Sequence, residues 1–308
     1  MHRALRRGAP PPLGAALLGE IFAKRGLYGE ALERFREAAA GAPEDVGVLL
    51  GEAGALVALG RGEEAVLAAE RLAVFAPQHP EVLVTRARAR LLVGDLDGAA
   101  GDAASAAALA PGRADLLLLR GSIGRRRGDR DGALESLIAA LELDPSLAQA
   151  WYERGAVEEE LHRPAAARAA YQRALELLPT FLDAALALGD LLRRTGLTAE
   201  AIRLLIELLL AEPYALDALA LLGRTLADEG RIPEALTAFN RVLRFHPEHP
   251  VVLFHRGLAQ ARLRRFGSAV ADWERFVALA PTGPLAASAR AQVRSARELF
   301  HILQPAES

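Results

Sequence analysis

The chain has 308 residues, a formal net charge of −2 and no cysteine. Near-neutrality removes any overall attraction to nucleic acid or anionic lipid, and the missing thiols exclude disulfides, thiolate metal sites and a cysteine nucleophile. Aromatic residues make up only 5% of a composition dominated by Ala, Leu, Arg, Glu and Gly, which favours helix throughout over β-structure.

Residues 1–11 are basic and end in prolines, which predicts a disordered tail. Arg3, Arg6 and Arg7 precede a short apolar run, Leu13 to Gly19. That run sits at the lower limit of a secretory leader, ends at Glu20 and has no well-placed small-residue cleavage site. We therefore expect a cytoplasmic protein, with the periplasm as the alternative if residues 1–19 act as an export signal. Lys24 is the only lysine, a bias towards arginine that a GC-rich genome also produces. No apolar run approaches the roughly 18 residues of a membrane span, and Glu207 interrupts the densest stretch, Leu204 to Leu210.

From residue 12 onward the prolines set a period. Pro43, Pro77, Pro111, Pro145, Pro179, Pro213, Pro247 and Pro281 lie 34 residues apart without a slip. Twelve residues before each stands alanine: Ala31, Ala65, Ala99, Ala133, Ala167, Ala201, Ala235 and Ala269. Twenty-four before each stands a small residue: Gly19, Ala53, Ala87, Gly121, Gly155, Gly189, Gly223 and Gly257. Seventeen before, glycine recurs at Gly26, Gly60, Gly94, Gly128, Gly196 and Gly230, with His162 and Arg264 in the remaining two places. Each unit then reads as a first helix stopped by the turn glycine and a second helix stopped ahead of the proline. The small residue and the alanine let the two backbones approach. Phe35, Leu137, Tyr171, Leu205, Phe239 and Trp273, eight residues before their prolines, fill the groove beside that contact. A lone hairpin cannot bury its apolar face, so units must stack.

Spacing, small residue, alanine and closing proline together resemble the tetratricopeptide repeat. The resemblance implies an all-α, right-handed α-α superhelical solenoid of about eight helix-turn-helix units, over 12–45, 46–79, 80–113, 114–147, 148–181, 182–215, 216–249 and 250–283. Repeat five matches best, with Trp151, Gly155, Ala167, Tyr171, Ala174 and Pro179; repeats two and three depart most, with Ala69 and Ala103 for the bulky residue. The second helix of repeat three, around Asp97 to Leu109, contains Gly98, Gly101 and many alanines, and is expected to be the softest joint.

Residues 284–303 read as a capping helix. Pro284 suits its first turn, and Leu285, Ala289, Val293, Ala296, Phe300 and Leu303 form one stripe, with Arg290, Arg294, Arg297 and Glu298 elsewhere. A partner-binding helix is the alternative, and 304–308 form a tail.

The resemblance further implies a concave groove lined by first helices that holds a partner's peptide or helix. Mapped onto this chain, the groove residues are Arg88, Arg125, Arg126, Tyr152, Glu153, Glu159, Asp190, Arg193, Arg194, Arg224, Phe254 and Arg262, giving a surface basic, then acidic at repeat five, then basic again. The competing reading is that these charges only solvate helix faces. Chaperone-type repeats clamp a terminal carboxylate with asparagines and lysines, whereas Asn240 and Lys24 are the only such residues here.

An enzyme reading would rest on His246, Glu248, His249 and His255 as zinc ligands, but His246 and His249 flank Pro247 as ordinary turn residues. No glycine-rich phosphate loop, nucleophile elbow or paired-carboxylate motif appears. RNA-reading repeats need a basic face, and the one basic run, Arg125 to Arg127, is followed at once by Asp129 and Asp131. The expectation is a non-catalytic scaffold or adaptor with no cofactor, a protein or peptide partner, no nucleic acid and no direct membrane insertion. A peptide-binding assembly chaperone is the closest alternative, and self-association through the open ends is a further one. Gram-negative bacteria use such arrays in envelope assembly and secretion, an analogy of family alone.

Overall fold

The computed structural model describes residues 11–303, which contain seventeen α-helices and no β-strand. The tails expected over 1–11 and 304–308 lie outside the described residues, except that Pro11 already opens the first helix. The helices divide into two compact units, one ending at His162 and one beginning at Arg163. Unit one holds α1 (Pro11–Lys24), α2 (Tyr28–Gly41), α3 (Val46–Ala58), α4 (Gly62–Phe75), α5 (Pro80–Val93), α6 (Leu96–Leu109), α7 (Ala114–Arg127), α8 (Arg130–Leu143) and α9 (Ala148–Glu160). Unit two holds α10 (Pro164–Leu177), α11 (Leu182–Arg194), α12 (Thr198–Ala211), α13 (Leu216–Asp228), α14 (Ile232–Phe245), α15 (Pro250–Arg262), α16 (Phe266–Leu279) and α17 (Pro284–Leu303).

The turns obey the sequence period. Each second helix stops two residues before its proline, because that ring disfavours helix in the residue ahead of it. At every turn between first and second helix one residue is left-handed. Six are glycines, such as Gly94 at φ 83°, and the other two are His162 and Arg264, both at φ 58°. A side chain there costs about 1–2 kcal/mol, which glycine avoids.

Inside each unit, consecutive helices pack as hairpins, and each first helix also touches the next first helix. First helices therefore form one layer and second helices another. The division at His162 falls within the fifth expected repeat, assigning α9 to unit one and α10 to unit two. The sequence motif gives no sign of this, since it reports the geometry within one 34-residue window.

The contact that closes a hairpin joins the small residue of the first helix to the residue 16 positions later. A Cβ on Gly223 would lie 2.5 Å from Phe239 Cε1, and one on Gly257 2.5 Å from Trp273 Nε1. On Gly121 it would lie 2.5 Å from Leu137 Cγ. Where the second residue shrinks to Ala69 or Ala103, the first grows to Ala53 or Ala87, and all four are completely buried. The two departures noted in repeats two and three are thus one compensated exchange of volume. The indole N–H of Trp273 also donates to the Phe254 carbonyl at 3.1 Å, satisfying the one polar atom of that buried ring.

This exchange divides the core. In unit two Leu205, Phe239, Trp273 and Phe276 join one continuous apolar cluster running from Ala185 to Ala296. In unit one the cluster around Phe35 and Ala69 is separate from that around Ala87 and Ala103, and from that around Leu137. Helix α6 buries only Ala99, Ala103, Ala106 and Asp102. Its carboxylate takes Arg86 Nη2 at 2.5 Å and Arg90 Nη1 at 2.8 Å. A hollow of about 500 Å³ opens beside it, walled by Ala100 and Ala104 on α6 and by Arg120, Ile123 and Ser136. In the terminal helix Ala289 and Ala296 enter the unit-two core with Val293 packed against it, but Leu285, expected to open the stripe, is exposed and Ala286 is buried in its place. Phe300 and Leu303 lie outside the described side chains.

Two outcomes follow for stability. Gly223→Ala should destabilise the chain by about 1–3 kcal/mol through overpacking against Phe239. Gly54→Ala, whose added methyl meets nothing within 4 Å, should stabilise it by about 0.5–1 kcal/mol; denaturant titration reads both signs. Amide exchange should be faster in α6 than in α10, because alanine burial and ion pairs hold α6 in place of bulky apolar side chains.

Candidate functional site

The first helices of unit one enclose a hollow of about 530 Å³. Its walls are Arg88 and Leu91 from α5, Leu118 and Arg125 with Arg126 from α7, and Glu153 from α9. The spacing of helix positions makes this inevitable, because residues three and four apart on each first helix share the face that neighbours the next one. The charges are matched within the hollow. Arg125 Nε lies 2.8 Å from Glu153 and its Nη1 3.2 Å from Glu160. Burial works against the charge on Arg125, but Glu153 and Glu160 outweigh it and hold the guanidinium above its ordinary value. Arg126 donates to the Leu91 carbonyl at the end of α5, a favourable place for a cation. Arg88 comes within 4.0 Å of Asp115. That carboxyl sits below its usual range, chiefly through its hydrogen bonds from Arg113.

Unit two carries a second, tighter basin on α11, α13 and α15. A cavity of about 60 Å³ is walled by Arg193, Arg224, Asp228, His255, Leu258 and Arg262. Asp190 at its edge takes Arg193 at 2.9 Å and Arg194 at 2.8 Å, while Arg193 also reaches Asp228 at 3.0 Å. Burial alone would raise the Asp190 carboxyl, and the Arg193 hydrogen bond and charge reverse that, leaving it below the carboxylate norm. Arg224 gets only a 3.9 Å approach from Asp190, and its Nε is buried without an acceptor. Burial and the repulsion of Arg193 push the Arg224 guanidinium below its ordinary value.

Of the residues mapped from sequence, Arg88, Arg125, Arg126 and Glu153 meet in the first hollow, and Arg193, Arg224 and Arg262 in the second. Asp190 and Arg194 join the second through their ion pair. Two positions need correction as surface contacts. Phe254 is buried, with its ring 5.4 Å from that of Phe276 inside the unit-two core, because it falls on the hairpin side of α15. Glu153 is 7% exposed, its carboxylate turned onto Arg125 and not outward. Tyr152 and Glu159 are half-buried on α9 and do not wall either cavity. The expected alternation of sign is therefore largely consumed by pairing between neighbouring first helices.

Mapping by repeat position also places Asp228 and His255 on the groove side, and both wall the unit-two cavity. Arg193–Asp228 and Arg125–Glu160 span the same 35 residues. The histidines considered as zinc ligands do not converge. His249 caps α15, its Nδ1 accepting from the Val252 N–H at 3.4 Å, and no group of three or more His, Asp or Glu among the described residues is arranged to hold a metal ion. No helix among the described residues is long and apolar enough to cross a membrane.

His255 supplies a pH test. Burial first, then the charges of Arg224 and Arg193, push its imidazole from 6.5 down to about 4, against the opposing pull of Asp228. Between those values the unfolded chain binds a proton that the folded chain refuses, so stability falls as pH drops through that window. His255→Gln should remove that component, at most about 3 kcal/mol. Denaturant titrations of both proteins near neutrality and near the lower end of the window should converge in slope if the imidazole is not the cause.

Models of the tetratricopeptide repeat match residues 22–91, 118–180, 186–250 and 222–294. No curated protein matches the sequence significantly. Among solved structures, the APC/C hetero-tetramer Cut9–Hcn1 superposes with a TM-score of 0.69 at 16% identity, over 87% of this chain and 52% of that one. This chain thus spans about half the length of that relative. The human IFIT1 dimer with m7Gppp-AAAA gives 0.68 at 17% identity, over 91% and 76%. YrrB, described as a tetratricopeptide repeat protein with an unusual peptide-binding site, gives 0.51 at 23%, over 62% and 99%. At these identities the structures speak for the fold alone. With the hairpins, the turns and the family models in agreement over most of its length, the chain belongs to the tetratricopeptide repeat family.

Proposed function

We propose that the chain is a non-catalytic scaffold or adaptor that holds a peptide or helix of a partner protein against its first-helix faces. Tetratricopeptide repeats as a fold serve protein–protein interaction. The observation that carries the reading is the 530 Å³ hollow of unit one, where Leu91 and Leu118 provide apolar contact between forked guanidiniums drawn from adjacent first helices. That mixture suits a peptide, which offers both side-chain area and carboxylates. YrrB carries a peptide-binding site on the same repeat, which supports a peptide as occupant here.

Capped RNA is named with IFIT1, and it is not the reading favoured for this chain. In the one basic run, Arg125 and Arg127 are engaged with Glu153 and Asp97, both at 2.8 Å, so their charge is matched within the protein. Phosphate binding needs cations that are free to neutralise it. We assign no cofactor, and we place the protein in the cytoplasm as a working proposal.

Selection of a displayed random-peptide library on the full-length chain should enrich peptides that compete with one another. Arg88→Glu with Arg126→Glu in unit one, or Arg193→Glu with Arg194→Glu in unit two, should weaken those peptides by about tenfold or more with helical content unchanged. Enriched peptides indifferent to both pairs, or no enrichment at all, would remove the groove reading. Sustained capture of many unrelated unfolded clients would favour the chaperone alternative.

A further inference from the structure

The unit-two basin holds more positive charge than its own carboxylates cancel. Asp190 is shared by Arg193 and Arg194, and Asp228 is held by Arg193. Arg224 is left with the 3.9 Å approach of Asp190, too long for a hydrogen bond, while its side chain keeps 31% of its exposure at the cavity wall. His255 adds no compensation, since burial and the neighbouring guanidiniums keep its imidazole neutral near physiological pH. A half-buried cation whose nearest carboxylate is 3.9 Å away and already hydrogen-bonded to two other guanidiniums is undercompensated and attracts an anion.

Unit one shows what a compensated version looks like. Arg125 occupies the same repeat position as Arg193, two repeats earlier, and there both Glu153 and Glu160 close on it. The positions equivalent to those two in unit two are Leu221 and Asp228, and Arg193 takes its second carboxylate from Asp190, where unit one has Ser122. The place of Arg224 holds Ala156 in unit one, so unit two adds a cation that unit one lacks.

We propose that this basin anchors the side-chain carboxylate of a glutamate in the bound segment, facing Arg224 and Arg193 with Arg262 at the mouth. The assignment rests on the groove reading above and narrows its occupant to an acidic segment seated on unit two. A planar two-oxygen group matches a guanidinium fork, and the cavity of about 60 Å³ has room for little more. The remaining wall is aliphatic, from Ala227, Leu258 and Ala259, which suits the methylenes of a glutamate. A chain-terminal carboxylate would bring its adjoining amide N–H against that wall without an acceptor.

The His255 imidazole reports on the basin directly. Full-length protein is titrated at low ionic strength with the α-amide of N-acetylglutamic acid, with N-acetylalanine and with inorganic phosphate, and the His255 ring is followed by NMR, assigned through His255→Gln. The glutamate probe should shift the ring saturably. Arg224→Gln should weaken that response about tenfold or more, while Arg34→Gln, on the exposed face of α2 and outside both cavities, leaves it unchanged. Arg224→Gln removes an uncompensated charge and is expected to fold, which circular dichroism checks; if helix is lost, Arg262→Gln serves in its place. No saturable shift, or an equal shift in the variant, overturns the anchor. N-acetylalanine or phosphate binding as tightly as the glutamate probe overturns the choice of a side-chain carboxylate. The groove reading fails separately: library peptides retained equally after replacement of every Glu by Gln would keep the groove and remove the anchor alone.

Discussion

Within each unit the fold depends on one contact repeated at the 34-residue period, between a small residue on a first helix and the side chain 16 positions later. At Gly223 and Phe239, and again at Gly257 and Trp273, no atom can be added to the glycine without moving a ring. That contact sets how close the two helices lie, and the close approach fixes which residues of the first helix face inward and which reach the neighbouring hairpin. Because the shared volume is what matters, Ala53 with Ala69 and Ala87 with Ala103 can replace glycine and bulk. The replacement keeps the hairpin and gives up the large apolar side chain that would have tied it to its neighbours. The continuous core of unit two and the divided core of unit one are two consequences of that single exchange.

Arginine uses the same register to join what alanine leaves loose. The bidentate pairs Arg86–Asp102 and Arg256–Asp272 occupy equivalent positions five repeats apart, each tying a first helix to its second. In the intervening repeat four the arginine persists as Arg120, but its partner position is Ser136 and no acid meets it. Between hairpins, Arg126 and Arg262 each cap the preceding first helix, and Arg241 and Arg275 bond the carbonyls of Pro213 and Pro247 at 2.7 and 3.0 Å. Individually such exposed contacts are worth only about 0–1 kcal/mol. Their value lies in repetition, since each is geometrically satisfied only when neighbouring hairpins sit in one register.

Helix boundaries, turn conformations and the closing contact were legible in the sequence because each is set by residues within one 34-residue window. Pro247 stops α14 and Gly230 turns the chain ahead of it whatever the rest of the molecule does. The site was legible only by half. Mapping by repeat position found Arg193, Arg224 and His255 on the basin but also placed Phe254 on the open face, where the structure buries it. One helical step is about 100°, enough to move a side chain from core to surface. Nor could the pairing of Arg125 with Glu153 and Glu160 be read from composition, because it depends on the rotation between successive hairpins. The division at His162 falls in the repeat where the motif is most complete, and nothing in the motif marks it.

The position of Arg224 sharpens the distinction between what the fold needs and what it tolerates. Equivalent places in other repeats hold Gly54, Arg88, Ser122, Ala156 and Leu258, so the hairpin makes no demand for a cation there. At Asp190 the same place holds a carboxylate that two arginines satisfy. At Arg224 it holds a guanidinium whose Nε is buried without an acceptor and whose charge is opposed by both burial and Arg193. A guanidinium at a position where leucine or alanine stands in other repeats is not required by the packing of the hairpin. Arg224 stands among the first helices beside the small cavity of unit two, where the proposed carboxylate would complete its pairing.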